Sequence, residues 1–219
     1  MSVECVKCTL RVLQLKTMTH KSNELRRRKQ MIRLQAEASR ADQEGKDPLS
    51  RRICRRLAEL PEFAAAAAVM FYVDAGSEVR TRPFIPAVWH SGKQVVVPYC
   101  DADRLALFRI EQFEDLSPGT YGILEPALEC RSRGDRETGL SQIDLVVVPG
   151  VAFDRLGGRL GHGKGYYDKL LAGARPDTAL VALAFECQLF DEIPMLPHDV
   201  YVHKVITEIA VYKRRSLGE

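Results

Sequence analysis

Residues 146–171, which read VVVPGVAFDRLGGRLGHGKGYYDKLL, constrain the fold more than any other part of the chain. An apolar run that begins at Ile143 stops at Pro149, and five glycines then lie within residues 157–165. A short apolar segment follows Tyr166. An apolar run rich in β-branched residues is typical of a buried strand. The stretch therefore predicts a strand, a glycine-rich loop and a helix.

The loop also carries three basic side chains, Arg159, His162 and Lys164. Glycines let a backbone turn sharply and present several N–H groups to one anion, and cationic side chains add charge-assisted hydrogen bonds to phosphate oxygens. We interpret the loop as a nucleotide-phosphate site. It matches neither the P-loop pattern nor the dinucleotide-binding fingerprint, so a plain flexible surface loop is the alternative.

The rest of the chain alternates apolar runs with helical patterns. A first basic helix is predicted at 24–38, capped by Ser22 or Asn23, with Leu25, Ile32, Leu34 and Ala36 on an imperfect apolar face. Further helices are predicted at 49–59, 81–91 and 165–172. Buried strands are predicted at 67–73, 94–98, 143–148, 178–184 and 205–211, an edge strand at 105–110, and a mobile surface loop at 131–139. This alternation predicts an α/β fold, a three-layer α/β/α arrangement with a mainly parallel, Rossmann-like sheet.

Ligands bind such sheets outside the carboxyl ends of the strands. Glu78, Tyr99, Gly150 and Glu186 each follow a predicted strand. We therefore expect these four residues to surround one crevice.

Composition limits the classes of function. The net charge of +3 is unevenly distributed, because residues 1–56 carry 15 Lys/Arg and 6 Asp/Glu whereas residues 57–219 carry 17 and 23. Basic helices bind nucleic acid or membranes in some proteins, but a solvated basic face is the plainer interpretation. The longest apolar run, 63–73, is too short to cross a bilayer.

Six scattered cysteines indicate reduced thiols and a cytoplasmic protein. The pair Cys5 and Cys8 is too little to define a metal or redox site by itself. Residues 1–17 are predicted to be a disordered tail, or the product of an upstream start, and residues 18–219 a single domain.

The loop motif resembles that of the 5-formyltetrahydrofolate cyclo-ligases, also called 5,10-methenyltetrahydrofolate synthetases. The residues that carry the resemblance there are Pro149, Gly150, Phe153, Asp154, Gly157, Arg159, Leu160, Gly161, Gly163, Gly165, Tyr166, Tyr167 and Asp168. Supporting segments in the same order include 72–79, 121–126, 182–188, 197–199 and 205–208.

The resemblance implies an α/β enzyme that uses ATP and Mg²⁺. Its γ-phosphoryl group would go to the formyl oxygen of 5-formyltetrahydrofolate, and the anilinic nitrogen would then close the ring to give 5,10-methenyltetrahydrofolate. It also implies a soluble monomer that acts on a small molecule, with no nucleic acid and no membrane as partner.

The resemblance also implies roles for individual residues. Arg159, Lys164 and Tyr166 would be catalytic, and Asp168 and Asp199 would bind the metal. ATP would contact Lys21, Arg26, Arg159, Leu160, Gly161, His162, Gly163, Lys164, Gly165, Tyr166 and Tyr167. The folate would contact Val73, Glu78, His162, Gly163, Lys164, Gly165 and Tyr166.

Simpler interpretations stay open for single residues: Asp168 as a helix cap, Tyr167 as a core residue and Glu78 as a solvated acid. The chain also departs from the family pattern. A Lys-x-x-Leu-Arg motif is usual near the start, but Lys21 stands one residue too far from Leu25-Arg26. His162 stands where arginine is common, and His203 where aspartate is frequent. The alternatives are a nucleic-acid-binding protein that uses its basic helices and an ATP-binding paralogue with a changed substrate.

Overall fold

The structure is a computed structural model that describes residues 3–119, 122–132 and 134–214, with side chains from residue 23 onward. The helices are α1 Val3–Asp42, α2 Lys46–Ala58, α3 Pro61–Ala65, α4 Ile85–His90, α5 Leu128–Arg131 and α6 Tyr166–Leu171. The first seven strands are β1 Ala68–Met70, β2 Gln94–Asp101, β3 Arg104–Ile110, β4 Leu116–Pro118, β5 Leu124–Pro126, β6 Glu137–Thr138 and β7 Leu145–Val148. The others are β8 Ala152–Asp154, β9 Arg159–Leu160, β10 Ala179–Leu183, β11 Leu189–Phe190, β12 Lys204–Ile206 and β13 Val211–Lys213.

The main sheet has eight strands in the order β13-β12-β10-β7-β1-β2-β3-β6. Its five central strands, from β12 to β2, are all parallel, whereas β13, β3 and β6 pair antiparallel at the two edges. The chain builds outward from β1 in both directions, so the order reverses between β1 and β7. This reversal is the point at which ligands bind in open α/β sheets.

Side chains of β7 show how the sheet separates two layers. Leu145 and Val147 are buried in a core that includes α2 and α4, while Val146 and Val148 face the core that includes α6. Apolar residues on both faces explain why the strand reads as an uninterrupted run. The predicted three-layer α/β fold with a mainly parallel sheet is confirmed.

A second sheet, in the order β11-β8-β9, follows β7 immediately. The β8–β9 turn is held by Asp154, whose Oδ1 accepts the N–H groups of Leu156 at 2.9 Å and Gly158 at 2.8 Å. Gly157 has a φ of +86°, and a Cβ there would lie 2.1 Å from the Val202 carbonyl oxygen. The glycine-rich stretch therefore begins as a tight hairpin, which the sequence interpretation did not include.

Helix α1 packs on this small sheet. Ile32 and Ala36, one turn apart, are buried against Val151 and Leu160. The helix extends beyond the predicted 24–38 at both ends, so Ser22 and Asn23 lie within it and do not cap it. Residues 3–17 lie in α1, but their side chains are outside the described part, and their predicted poor order stays a prediction. The domain boundary at residue 18 likewise stays a prediction.

Three local predictions were wrong. The predicted strand 205–211 is a hairpin, because β12 and β13 pair antiparallel around residues 207–210. Strand β3 is not an edge, since β6 covers it. The predicted mobile loop 131–139 contains β6 and the buried Arg136, whose Nη1 donates to Asp115 Oδ2 at 2.7 Å. Within the described residues, no helix is both long enough and apolar enough to span a bilayer.

Candidate active site

The glycine-rich loop lies between β9 and α6, at the carboxyl end of β7. Gly163 and Gly165 have φ values of +95° and +71°, which only glycine adopts without strain. The loop is exposed at residues 162–164, whereas Leu160 at its start is buried against α1. Leu160 can therefore reach a ligand only through its backbone, because its side chain belongs to the core.

Arg159 and Asp168 form the first fixed pair of the site. Arg159 Nη2 donates to Asp168 Oδ1 at 2.7 Å, and the Val200 N–H donates to the same oxygen at 3.2 Å. The Arg159 side chain is 3% exposed, and its Nε is buried without a hydrogen-bond acceptor in the described structure. Asp168 is thus engaged by residues from two distant segments and does not cap α6.

Lys29 and Asp199 form a second pair. Lys29 Nζ donates to Asp199 Oδ2 at 2.5 Å, and the Leu196 N–H donates to the same oxygen at 2.7 Å. Burial raises the pKa of Asp199, but the hydrogen bonds from Lys29 and the Leu196 N–H, with the Lys29 charge, outweigh it and lower the pKa overall. Asp199 is therefore an ionised carboxylate. It lies beside Asp168, because the N–H of the next residue, Val200, donates to Asp168.

Helix α1 brings a further cation to the loop: Arg33 Nε donates to the Gly161 carbonyl at 2.8 Å. Lys29 and Arg33 were missed as site residues, although Lys29-Gln30-Met31-Ile32-Arg33 fits the Lys-x-x-Leu-Arg spacing with Ile in place of Leu. Arg26 is exposed one turn before Lys29, and its ATP contact stays a prediction. The side chain of Lys21 lies outside the described part.

Arg40, also missed, joins the two loops at the point where the sheet order reverses. Its Nε donates to Ser77 Oγ at 3.0 Å and its Nη1 to the Gly150 carbonyl at 3.4 Å. Arg40 is 7% exposed. A basic residue near the end of a basic helix gives no sequence signal for this bridging position.

Glu78 follows Ser77 and is half-buried, not a solvated loop acid. Its Oε2 accepts the Ala75 N–H at 3.0 Å. Burial raises its pKa, and the Ala75 hydrogen bond and the Arg40 charge offset only part of that effect. Val73, the other predicted folate contact of this segment, is buried in the core.

Tyr167 lies within electrostatic reach of both Glu78 and Arg159. It packs against the core next to α6, and the Arg159 guanidinium lies 5.8 Å from its ring centroid. Burial raises its pKa well above the usual value, the charge of Glu78 raises it further, and Arg159 acts in the opposite direction. Tyr166 is half-buried, with Lys164 Nζ 6.0 Å from its ring centroid.

His162 lies on the outer side of the loop. Its Nδ1 is 3.6 Å from Glu37 Oε1 of α1. Burial lowers its pKa and the charges of Arg40 and Arg33 lower it further, with Glu37 acting in the opposite direction. His162 is therefore held in its neutral form near pH 7.

The expected crevice is only partly formed by the four residues named for it. Glu78 and Gly150 are brought together through Arg40. The Tyr99 hydroxyl instead donates to Glu137 Oε1 of β6 at 3.0 Å. Glu186 accepts the hydroxyls of Thr207 and Tyr212 at 2.6 Å and 2.7 Å, near the β12–β13 hairpin. Both outer residues therefore bond to structure near the two margins of the sheet and not to the glycine-rich loop. His203, the other departure from the family pattern, accepts the Leu180 N–H at 3.0 Å through Nδ1.

Asp168 and Asp199 fit a magnesium ion that arrives with a nucleotide. Each uses one carboxylate oxygen for hydrogen bonds to described residues. The other oxygen of Asp199, Oδ1, lies 3.7 Å from His198 Nε2. In the described part of the chain no three His, Cys, Asp or Glu side chains form a metal-binding group. Mg²⁺ is commonly bound through one or two carboxylates, phosphate oxygens and waters, so two carboxylates are sufficient.

Comparisons with known proteins identify relatives of this chain. A Schizosaccharomyces pombe protein named "Probable 5-formyltetrahydrofolate cyclo-ligase" is 34% identical over 175 residues, which cover 74% of this chain and 84% of that protein. The Escherichia coli K12 5-formyltetrahydrofolate cyclo-ligase is 29% identical over 187 residues, or 84% of this chain and 100% of that protein. The NMR structure of Aquifex aeolicus 5,10-methenyltetrahydrofolate synthetase superposes with a TM-score of 0.75 at 31% identity, covering 87% of this chain and 96% of that one. The sequence model of the 5-formyltetrahydrofolate cyclo-ligase family matches residues 18–208, and the chain belongs to this family.

Proposed function

We propose that this protein converts 5-formyltetrahydrofolate to 5,10-methenyltetrahydrofolate with consumption of ATP in the presence of Mg²⁺. The observation that carries the proposal is the bridge made by Arg40, which ties the Glu78 loop to the segment that leads into the phosphate loop. A folate held at Glu78 and a nucleotide held at the loop would then lie side by side.

The phosphate half of the site is rich in positive charge. Lys29, Arg33, Arg159 and Lys164 come from α1 and the loop, and they would neutralise the triphosphate. Asp168 and Asp199 would hold the magnesium ion, which when bound supplies charge neutralisation between phosphate oxygens. Because Arg159 and Lys29 already pair with these carboxylates, binding of the nucleotide would require the cations to turn partly towards phosphate.

The folate half is built around Glu78. A half-buried carboxylate can accept hydrogen bonds from the amino and ring N–H groups of the pterin, and these are strong because the acceptor is charged. Phosphorylation of the formyl oxygen turns it into a good leaving group. The anilinic nitrogen can then attack the formyl carbon, and loss of phosphate and of the nitrogen's proton gives the methenyl product with ADP. The protein mainly positions the groups and stabilises charge.

The direct test is the near-ultraviolet absorbance of the methenyl product, measured with purified protein, 5-formyltetrahydrofolate, ATP and Mg²⁺. Product should form only when all four are present. Replacing Lys164 or Asp168 by Ala should remove turnover while circular dichroism stays unchanged. Absence of product from the wild-type protein would refute the function, and full activity of the variants would refute the assigned roles.

Lys29 and Arg28 provide a matched pair for the α1 contribution. Lys29 is 12% exposed in its pair with Asp199, whereas Arg28 is 52% exposed in its pair with Glu192. Lys29→Ala should raise the KM for ATP at least tenfold, and Arg28→Ala should change it less than twofold, because exposed ion pairs contribute little. Equal increases in the KM for ATP would show that α1 acts through its overall positive charge and not through a specific contact of Lys29.

The remaining expectations belong to the same proposal. We expect a cytoplasmic monomer whose partner is the small-molecule folate. Four cysteines in the described part of the chain are free thiols: Cys54, Cys100, Cys130 and Cys187. Cys5 and Cys8 lie outside the described side chains. The absence of nucleic-acid binding stays a prediction; Lys29, Arg33 and Arg40 of the basic helix are engaged at the site instead of facing solvent. An ATP-binding paralogue with a changed substrate would give no methenyl product in the same absorbance assay.

A further inference from the structure

The C-terminal end of α1 contacts two loops at the carboxyl ends of β1 and β7, and Arg40 makes these contacts. Its Nε donates to Ser77 Oγ at 3.0 Å, and its Nη1 donates to the Gly150 carbonyl at 3.4 Å. The buried Gln188 holds the second loop from the end of β10, because its Nε2 donates to the Gly150 and Val151 carbonyls at 3.2 Å and 2.9 Å. Arg40 therefore connects α1 and the Ser77 loop to a segment that the core also fixes.

Ser77 belongs to the turn that holds Glu78. The Glu78 N–H donates to the Ala75 carbonyl at 3.1 Å, and Glu78 Oε2 accepts the Ala75 N–H at 3.0 Å. Ser77 lies inside this turn, so a displacement of Ser77 also displaces the Glu78 carboxylate. The hydrogen bond from Arg40 to Ser77 therefore restrains the residue that we propose as the pterin acceptor.

The same side of α1 also lies on the phosphate half of the site. Lys29 pairs with Asp199, and Arg33 Nε donates to the Gly161 carbonyl at 2.8 Å. Arg33 Nη2 lies 3.5 Å from the place that a Cβ of Gly163 would occupy. Arg33 and Arg40 are seven residues apart, which is about two turns or about 10 Å along the helix. One helix thus reaches from the phosphate half to the folate half.

Few apolar contacts hold α1 in this position. Among its described side chains only Ile32, Ala36 and Arg40 are buried, and the first two pack on the small sheet. A segment with few buried apolar contacts has low local stability, so polar contacts contribute a large share of what holds it in place. A triphosphate that engages Lys29 and Arg33 would add to those contacts and would favour the docked position of α1.

We propose that Arg40 is a positioning residue that couples the two halves of the site, so that a bound nucleotide increases the affinity for folate. The inference rests on the proposed function. Both ligands favour the same docked position of α1, the nucleotide through Lys29 and Arg33 and the folate through the turn that contains Ser77. The coupling is therefore positive, and by linkage the folate increases the affinity for the nucleotide by the same factor.

The test measures the Kd of 5-formyltetrahydrofolate by titration calorimetry, with and without a non-hydrolysable ATP analogue and Mg²⁺. The ratio of the two values is the coupling factor, and we expect about tenfold for the wild type, within the usual range for coupled sites. Arg40→Ala should reduce this factor to less than about twofold. The affinity for the analogue alone should change little, because the bridge of Arg40 is made to Ser77 and Gly150.

Two further variants make the test specific to the bridge. Ser77→Ala removes one end of it and should also lower the coupling factor, which keeps the test informative if Arg40→Ala folds poorly. The double variant should lose no more coupling than Arg40→Ala alone, because both changes break the same contact. Arg28→Ala is the control on the same helix: Arg28 is 52% exposed in its ion pair with Glu192, and its replacement should keep the wild-type factor.

The coupling factor compares each variant with itself, so a general loss of stability in a folded variant does not produce the expected result. A wild type without coupling, a wild-type factor in both Arg40→Ala and Ser77→Ala, or an equal loss in Arg28→Ala would each overturn the proposal. A wild type that neither binds nor converts 5-formyltetrahydrofolate would overturn it together with the proposed function. Normal wild-type turnover confines a negative result to the role of Arg40.

Discussion

Gly157→Ala tests how the β8–β9 hairpin supports the proposed magnesium site. At a φ of +86° any L side chain is strained, and the added Cβ would lie 2.1 Å from the Val202 carbonyl oxygen. The clash is with backbone and cannot be relieved by a side-chain rotation. It would also stretch the hydrogen bond from the Val202 N–H to the Gly157 carbonyl, now 2.9 Å.

Gly92→Ala is the matched control. Gly92 has a φ of +79° and open space around its Cβ position, so its replacement measures the backbone strain alone, about 1 kcal/mol. Gly157→Ala adds overpacking against backbone, and we expect a loss of about 3 kcal/mol or more. For a chain of this size each kcal/mol lowers Tm by about 2–4 °C, so calorimetry should separate the two variants clearly.

The same substitution should affect activity. Val202 follows Asp199 by three residues, and the intervening Val200 N–H donates to Asp168. A shift at Val202 is therefore transmitted to both carboxylates, and Gly157→Ala should raise the Mg²⁺ concentration needed for half-maximal turnover, measured at a temperature where the variant is fully folded. Equal Tm losses for Gly157→Ala and Gly92→Ala would refute the reasoning, as would an unchanged Mg²⁺ requirement.

Three further predictions follow from buried or partly buried titratable groups. Burial raises the pKa of Asp115, but hydrogen bonds from the Glu111 N–H and Arg136 outweigh it and lower the pKa overall. The ionised Asp115 therefore stabilises the folded protein fully above its unfolded-state pKa, and this stabilisation is lost as the pH falls through its folded-state pKa. Asp115→Asn should therefore cost about 3 kcal/mol at pH 7 and flatten the acid side of the Tm–pH curve, as measured by calorimetry. The pKa of His162 is lowered, so this side chain becomes charged only at acidic pH. If it contacts phosphate, ATP affinity should rise at acidic pH in the wild type and should not do so in His162→Gln. Titration calorimetry at several pH values will measure this difference. Burial raises the pKa of the Cys54 thiol to about 12, so mass spectrometry should find it unmodified by iodoacetamide in the folded protein.

The periodicity of the sequence predicted the central sheet well because each parallel strand is buried on both faces. Residues 143–148 and 178–184 read as strands for this reason, and β7 and β10 lie within them. The same rule failed at 205–211, where the apolar pattern continues through a tight turn held by Thr207 Oγ1, which accepts the Ala210 N–H at 3.1 Å. Glu208 is the only charged residue of 205–211, and the turn contains no glycine or proline to mark it.

The glycine-rich loop was predictable as a candidate site because glycines and cations lie together in the sequence. Lys29 and Arg40 were not, because their roles depend on partners more than a hundred residues away, Asp199 and Gly150.

The rotation of α1 explains why these cations reach the site. The sequence interpretation placed both Ile32 and Leu34 on the apolar face, but these positions lie about 200° apart around a helix, and Leu34 is 53% exposed. Of the four residues placed on that face, only Ile32 and Ala36 are buried, and they set the helix on the small sheet. At about 100° per residue, Lys29, Arg33 and Arg40 then fall in one narrow sector beside this contact, and Arg26 continues it towards the N-terminus. A polar substitution at Ala36 would loosen this contact, and with it the Lys29–Asp199 pair and the Arg40 bridge. The positions of the cations at the site therefore depend on the apolar contact of α1 with the small sheet.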